Sequence, residues 1–218
     1  MTYLVRPAIA AGLLIIIAAA PSADAWTPPP QAGQEAEPKA RPDLVRQPYS
    51  AADVGFMQGM IPHHAQAVLI AGWAASHGAR PDILVLCQRM VIGQLDEIAT
   101  MQNWLRDRGE NVPAADATHH RMKSNGVEHD MLMPGMLSPA ELAELDKARG
   151  PEWDRLFLTF MIRHHEGALK MVEELFASYG ALQDDDVYKL VSDMGADQSI
   201  EIERMQKMLA GLEKRSPQ

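Results

Sequence analysis

The chain has 218 residues, a formal net charge of −9 and a single cysteine, Cys87. That length suits one or two domains. The acidity argues against a nucleic-acid partner, which needs a basic face, and one cysteine excludes an internal disulfide. The oddity is fourteen methionines and eight histidines, and they are not scattered.

In chain order, Arg6 precedes the apolar run AIAAGLLIIIAAA (8–20), and ADA (23–25) offers small residues for a cut before Trp26. Charge, apolar run and small-residue site in that order form the pattern of a secretory signal peptide. The run is shorter than the roughly 20 residues a spanning helix needs. Residues 1–25 are therefore expected to be cleaved, leaving a periplasmic or secreted protein with no stable membrane insertion. Residues 26–49 contain six prolines and few apolar groups, the composition of an extended, disordered linker.

The remaining domain, 50–213, reads as helices. Ser50 is an N-cap, with Asp53 near the positive end of the helix dipole. Met57, Met60, Ile61, Val68, Ala71 and Ala75 recur with helical period, and Gly78 closes the segment. Pro62 inside it is expected to kink the helix near Gln58. A second helix runs from Pro81-Asp82 to about Arg108, closed by Gly109. After a long connection, 110–137, Ser138-Pro139-Ala140-Glu141 combines a cap, a first-turn proline and a capping-box glutamate, opening a short helix that ends near Gly150. A helix over about 151–179 stops at Gly180, and a last one runs from the acidic DDD (184–186) to about Leu212. No strand-like alternation is evident, so the expected class is all-α.

Two phrases occur twice. FMQGMIPHHAQA (56–67) returns as FLTFMIRHHEGA (157–168), 101 positions later, and QLDEIATMQNWL (94–105) returns as QSIEIERMQKML (198–209), 104 positions later. The halves 50–109 and 138–213 are thus two copies of one helical hairpin, which predicts a four-helix bundle with a short crossover helix.

Residues three and four apart share a helix face. Met60 therefore neighbours His63 and His64, and Met161 neighbours His164 and His165. On the partner helices, Gln94, Glu97 and Met101 are in register, as are Gln198, Glu201 and Met205. Folding each hairpin brings His64 level with about residue 94 and His165 level with about residue 199, so both sets converge near mid-core. Buried carboxylates and imidazoles must pair or bind something. One reading is a His–Glu network that sets bundle register, with methionine as filler. The other is a metal site built from Met60, His63, His64, Glu97, Met101, Met161, His164, His165, Glu201 and Met205. Thioether with imidazole selects Cu(I), or its analogue Ag(I), over hard cations. Zinc prefers cysteinate, and a bundle di-iron site needs Glu-x-x-His motifs that are missing here.

The connection adds THHRMKSNGVEHDMLMPGM (118–136). His119, His120, Met122, His129, Met131, Met133 and Met136 form a candidate second metal site on a copper-loading segment. The alternative is a lid packed on the bundle. Cys87, in an apolar run, reads as a small buried hydrophobe. His77 reads as a charge at a helix C-terminus, and Trp73, Trp104 and Trp153 as core or hairpin contacts.

FMQGMIPHHAQAVLIA, QLDEIATMQNWL, MPGMLSPAELAEL and FMIRHHEGALKMV together resemble the signature of the domain of unknown function 305 family over roughly 50–210. That family is similar to ferritin-like bundles and includes periplasmic copper-binding proteins linked to copper tolerance. The resemblance implies copper or silver binding by His63, His64, His164 and His165, with Met60 and Met161 beside them. Its second motif matches at Glu97, Met101, Glu201 and Met205. One departure is Ile70, where the family more often has a methionine, as at Met171.

The function expected is that of a non-enzymatic exported protein that buffers or sequesters Cu(I), contributing to metal tolerance or trafficking. Its partners would be metal ions and other copper-handling proteins. Two alternatives stay open: a bundle-core metal-dependent oxidoreductase, such as a metal oxidase, and a structural or interaction domain with a His–Glu polar core. Self-association is left open.

Overall fold

The computed structural model describes residues 47–124 and 127–214. The expected signal peptide and most of the Pro-rich linker lie outside the described residues. Five helices follow in order: α1 (Ala51–Gly72), α2 (Pro81–Asp107), α3 (Pro139–Lys147), α4 (Pro151–Phe176) and α5 (Asp185–Glu213). Their starts are set locally. Ser50 with Asp53 and Ser138 with Glu141 both close complete capping boxes, satisfying two otherwise orphaned donors each. Asp184 accepts from the N–H groups of Asp186 and Val187 at the head of α5 (3.0 and 3.4 Å). α1 runs through Pro62 without a break.

α1 pairs with α2 and α4 with α5 as the two expected hairpins, and α1 packs against α4. The core falls into two apolar blocks. One joins Phe56–Ala65 of α1, Ile98–Leu105 of α2, Ala168–Leu175 of α4 and Val187–Met194 of α5. The other joins Ala67–Ala71, Ile83–Met90, Trp153–Met161 and Met205 from the same four helices, with Ala74 from the turn after α1. The order of these segments makes α1 and α4 antiparallel. It also leaves a slab at mid-bundle where each helix contributes polar side chains.

Two aspartates pin the hairpins together. Asp53 Oδ1 accepts from the Leu182 N–H in the second hairpin's turn (2.9 Å), and Asp154 Oδ1 accepts from the Arg80 N–H in the first (3.2 Å). They stand at the same 101-residue offset as the histidine doublets, so the pin is itself duplicated. Both are buried.

The connection differs from expectation in one respect. It holds a two-stranded antiparallel ribbon, β1 (His120–Ser124) and β2 (Val127–Met131). The bundle remains all-α, and the ribbon is an addition to it. His77, expected as a helix-end charge, lies in the packed interior beside Asp146. It is buried, with Nδ1 3.0 Å from the Trp73 carbonyl and Nε2 3.1 Å from that of Asp146. Its own carbonyl accepts from the Gly150 N–H (2.8 Å). A turn fixed this way ends α1 at Gly72, six residues before the glycine that the sequence offered as a stop. Among the described residues, no helix is long and apolar enough to cross a membrane.

Asp53→Ala removes both a helix cap and an inter-hairpin acceptor. It is expected to lower unfolding stability by about 2 kcal/mol or more, read as a shifted urea midpoint at unchanged m. A loss within about 0.5 kcal/mol, the range of an ordinary surface change, would show that the pin contributes little.

Candidate metal centre

The polar slab is built around the two doublets. His63 and His64 on α1, and His164 and His165 on α4, are all buried. The rings of His63 and His164 face each other across the α1–α4 contact with centroids 3.9 Å apart. Within each doublet the rings diverge, with centroids 6.3 and 6.1 Å apart, because consecutive helix residues point about 100° apart.

The partners of these rings are specific. His64 Nε2–H donates to Glu97 Oε2 (2.7 Å) and His165 Nε2–H to Glu201 Oε2 (2.6 Å). His63 Nε2–H donates to the Pro134 carbonyl (3.0 Å). In each case the acceptor holds a proton on Nε2, and a neutral ring then has its lone pair on Nδ1. Those three Nδ1 atoms are buried and have no partner, and both nitrogens of His164 are likewise unpartnered. Burial, reinforced by the charge of His64, pushes His63 down to about 3, against the pull of its bond to Pro134. Burial first, then the neighbouring histidines, holds His164 well below the usual range. Both rings are therefore neutral at pH 7 and able to donate lone pairs.

One side of the slab is closed by the loop after β2. Gln66 takes both backbone groups of Leu137, accepting its N–H (2.7 Å) and donating to its carbonyl (3.0 Å). At Gly167 a Cβ would collide with the Pro134 carbonyl, so α4 can approach the loop only with glycine there. Gly135 has φ +79°, and a Cβ there would strike the Arg163 carbonyl. Neither Gln66 nor Gly167 was singled out in the sequence. Both lie within the repeated phrase, at equivalent positions, and that placement was the available signal.

The predicted methionines divide between the two apolar blocks. Met60 and Met101 are buried in one, Met161 and Met205 in the other, so thioethers lie on both sides of the histidines. Met171 is also buried, and its methyl and that of Met133 both reach Gly59. Among the described residues, no three of His, Cys, Asp and Glu are grouped to hold a metal ion. A cation here must complete its donor set with thioether. The residues present fit a soft ion on that ground, since the buried imidazoles lie between two apolar blocks that each hold buried thioethers.

The second candidate site is less gathered. Met136 is buried, with its sulfur 3.3 Å from the Met133 nitrogen. Met133 and His119 are half-buried, and Met131 is exposed. The strand register sets His120 opposite Met131 and Met122 opposite His129. The side chains at 120–130 lie outside the described residues. Cys87 is buried in the second block, its thiol pushed up to about 12 by burial, as its apolar surroundings predicted.

The chain belongs to the family described as Domain of unknown function (DUF305), which matches residues 53–209. Among solved structures it is similar to a putative secreted DUF305 protein from Streptomyces coelicolor, at 25% identity and a TM-score of 0.61, covering 74% of this chain and 93% of that one. A DUF305 fragment from Deinococcus radiodurans matches at 25% identity and TM-score 0.61, covering 75% and 98%. CopM in its Cu(I)-bound form matches at 26% identity and TM-score 0.55, covering 73% and 96%. CopM is also solved in Cu(II)-bound and Ag-bound forms. Among curated proteins, none matches this chain.

Neutral burial has a pH signature. A histidine whose folded pKa is depressed contributes stability that is complete above its unfolded value, about 6.5, and lost as pH falls below it. Metal-free protein is expected to lose roughly 1 kcal/mol per pH unit for each of His63 and His164 as pH drops from 6.5 toward 5. The His63→Gln plus His164→Gln variant should show a correspondingly flatter profile of urea midpoint against pH. Equal profiles would mean that the two rings are not held neutral.

Proposed function

Taking the family membership and the buried lone pairs together, we propose that this protein is an exported, non-enzymatic binder that buffers or sequesters Cu(I), with Ag(I) as its analogue. The observation that carries this is the proton arrangement of the slab. Three imidazoles give their Nε2–H to a carboxylate or a carbonyl and keep a buried, unpartnered Nδ1. Metal-ligating histidines characteristically donate the other ring N–H to such an acceptor, which fixes the tautomer and raises ligand basicity. On this reading His63 and His164, ring against ring, provide nitrogen, and Met60, Met101, Met161 and Met205 provide sulfur. Glu97 and Glu201 orient His64 and His165, and are not themselves expected to coordinate. CopM, similar to this chain at 26% identity, has been solved with Cu(I) and with Ag, which supports the same class of cargo. The Met- and His-rich connection, with its ribbon, is the candidate loading segment, and copper-handling proteins are the candidate donors and acceptors.

One observation favours a second reading. The His64–Glu97 and His165–Glu201 pairs are short, 2.7 and 2.6 Å, as a purely structural network would also require. Anaerobic Cu(I) competition against a chromophoric chelator separates the two. Wild-type protein is expected to hold at least one Cu(I). His63→Gln plus His164→Gln should weaken it at least 100-fold, and Glu97→Gln alone by about tenfold, the effect of losing an orienting partner. Ag(I) should raise the melting temperature of wild type, since a ligand of the native state stabilises it. Unchanged Cu(I) affinity in the double histidine variant would leave the slab as a structural network.

A further inference from the structure

α2 and α5 are one helix written twice. Both begin at the 104-residue offset of the repeat, Pro81 against Asp185, and both turn a glutamine inward at mid-length, Gln94 and Gln198. Their outer faces differ. On α2, Val85, Ile92 and Leu95 are 42, 64 and 44% exposed, and Ala99 is exposed beside them. Spacings of seven and three gather these residues into one stripe on the side of the helix facing away from Gln94. At the matching positions α5 exposes Lys189, Ala196, Ser199 and Glu203, the composition of a solvated helix face. Ile200, at the place of Asp96, is an isolated apolar residue, which is normal on a surface. The bundle therefore does not need an apolar outer face from this helix, yet α2 carries one along about 21 Å.

Arg89 and Asp96 flank the stripe on one side, seven residues apart. Both are exposed, and among the described residues the side chain of neither is hydrogen-bonded or ion-paired. Seven residues of helix separate them by about 10 Å, too far to pair with each other. In a heptad, Val85, Ile92 and Ala99 take position a, Leu95 takes d, and Arg89 and Asp96 both take e. Two such helices packed antiparallel bring their e positions together. A two-fold axis beside Gly93 then sets Arg89 of each copy against Asp96 of the other, and layers Ile92 on Leu95. A parallel pair would set both charges against the g positions, Leu84, Val91 and Ile98, which offer no counter-charge. The space around Gly93 is open, with nothing within 4 Å of a Cβ built there.

We propose that the outer face of α2 is an interface between two copies of this chain, packed antiparallel about that axis. Each copy buries Val85, Ile92, Leu95 and Ala99, and two Arg89–Asp96 pairs set the register. An isologous contact of this kind closes on itself, so assembly stops at the dimer. The face is a single helix wide, so pairing is weak and reversible. The ion pairs lie at its rim and govern orientation more than affinity. This inference goes beyond the soft-metal reading and does not rest on it, since the stripe lies on the side of α2 away from the slab.

Sedimentation equilibrium of the metal-free protein, loaded up to about 1 mM, the weak end of the affinity scale, reads the association directly. Wild type is expected to show monomer and dimer and no larger species. Ile92→Glu, an exposed change compatible with a helix, should weaken the dimer about tenfold or more. Arg89→Glu and Asp96→Lys should each weaken it about threefold or more by opposing like charges, and the two together should restore wild-type association. A wild type that stays monomeric throughout, or an Ile92→Glu variant that dimerises as wild type does, overturns the interface. A double reversal that fails to recover what each single change loses overturns the antiparallel pairing.

Discussion

Four imidazoles at the centre of a helical bundle face a severe constraint. Each carries two ring nitrogens that water would satisfy, and the apolar blocks on either side offer none of that. A polar group left bare in such a place is strongly unfavourable. The structure answers in part. Glu97, Glu201 and the Pro134 carbonyl take three N–H groups outward, so the unmet capacity is confined to lone pairs on the inner nitrogens and to His164. A bare lone pair is the form of unsatisfied polarity that a cation removes. Burying neutral rings together with sulfur also selects which cation, because soft donors in a dry site favour a weakly hydrated soft ion.

The rest of the fold holds that slab in register. Duplication gives four helices whose polar residues meet at one height, and the Asp53 and Asp154 pins set each hairpin against the other's turn. Ion pairing at the end of the bundle adds to this: Arg108 lies over the Trp104 ring at 4.2 Å and pairs with Asp184 at the head of α5. The two copies are nonetheless not equivalent. The loop closes only one side, so His63 gains the Pro134 carbonyl while His164 gains nothing. Gln66 and its counterpart Gly167 both serve the loop, one by hydrogen bonds and one by making room. Met171 stands where the first copy has Ile70, and its methyl meets Gly59, whose counterpart is Phe160. The two copies therefore differ in their surroundings, one face closed by the loop and the other lined by carboxylates.

Much of this could be read from the sequence, because it depends on spacing. The doubled doublets, the Gln-x-x-Glu-Ile-x-x-Met frame, the capping boxes at Ser50 and Ser138 and the level of His64 against residue 94 all follow from helix period and hairpin geometry. Other features depend on which segments approach each other, and spacing is silent there. Glu97 and Glu201 were grouped with the ligands because they share a level with the histidines; their hydrogen bonds show that they face Nε2. His77 read as a charge at a helix C-terminus, a reading that carried no signal of its burial against α3. The docking of 133–137 onto Gln66 and Gly167 is a contact across some 30 to 70 residues of chain with no periodic mark. The ribbon had a local signal, the Asn125-Gly126 dipeptide that favours two-residue hairpins, obscured by a composition so rich in His and Met that it drew attention to ligands first. The pin was legible as well, since Asp53 and Asp154 obey the same offset as the histidines.

The central claim is that the histidine slab is where a soft cation resides. Anomalous scattering from a crystal of the Ag(I)-loaded full chain tests it most directly. The account requires the strongest silver peak to lie inside the slab, in contact with His63 or His164 and at least one of the flanking thioethers. Silver confined to the ribbon, the carboxylate-lined face or the outer surface, with the slab unchanged from the metal-free protein, would contradict it.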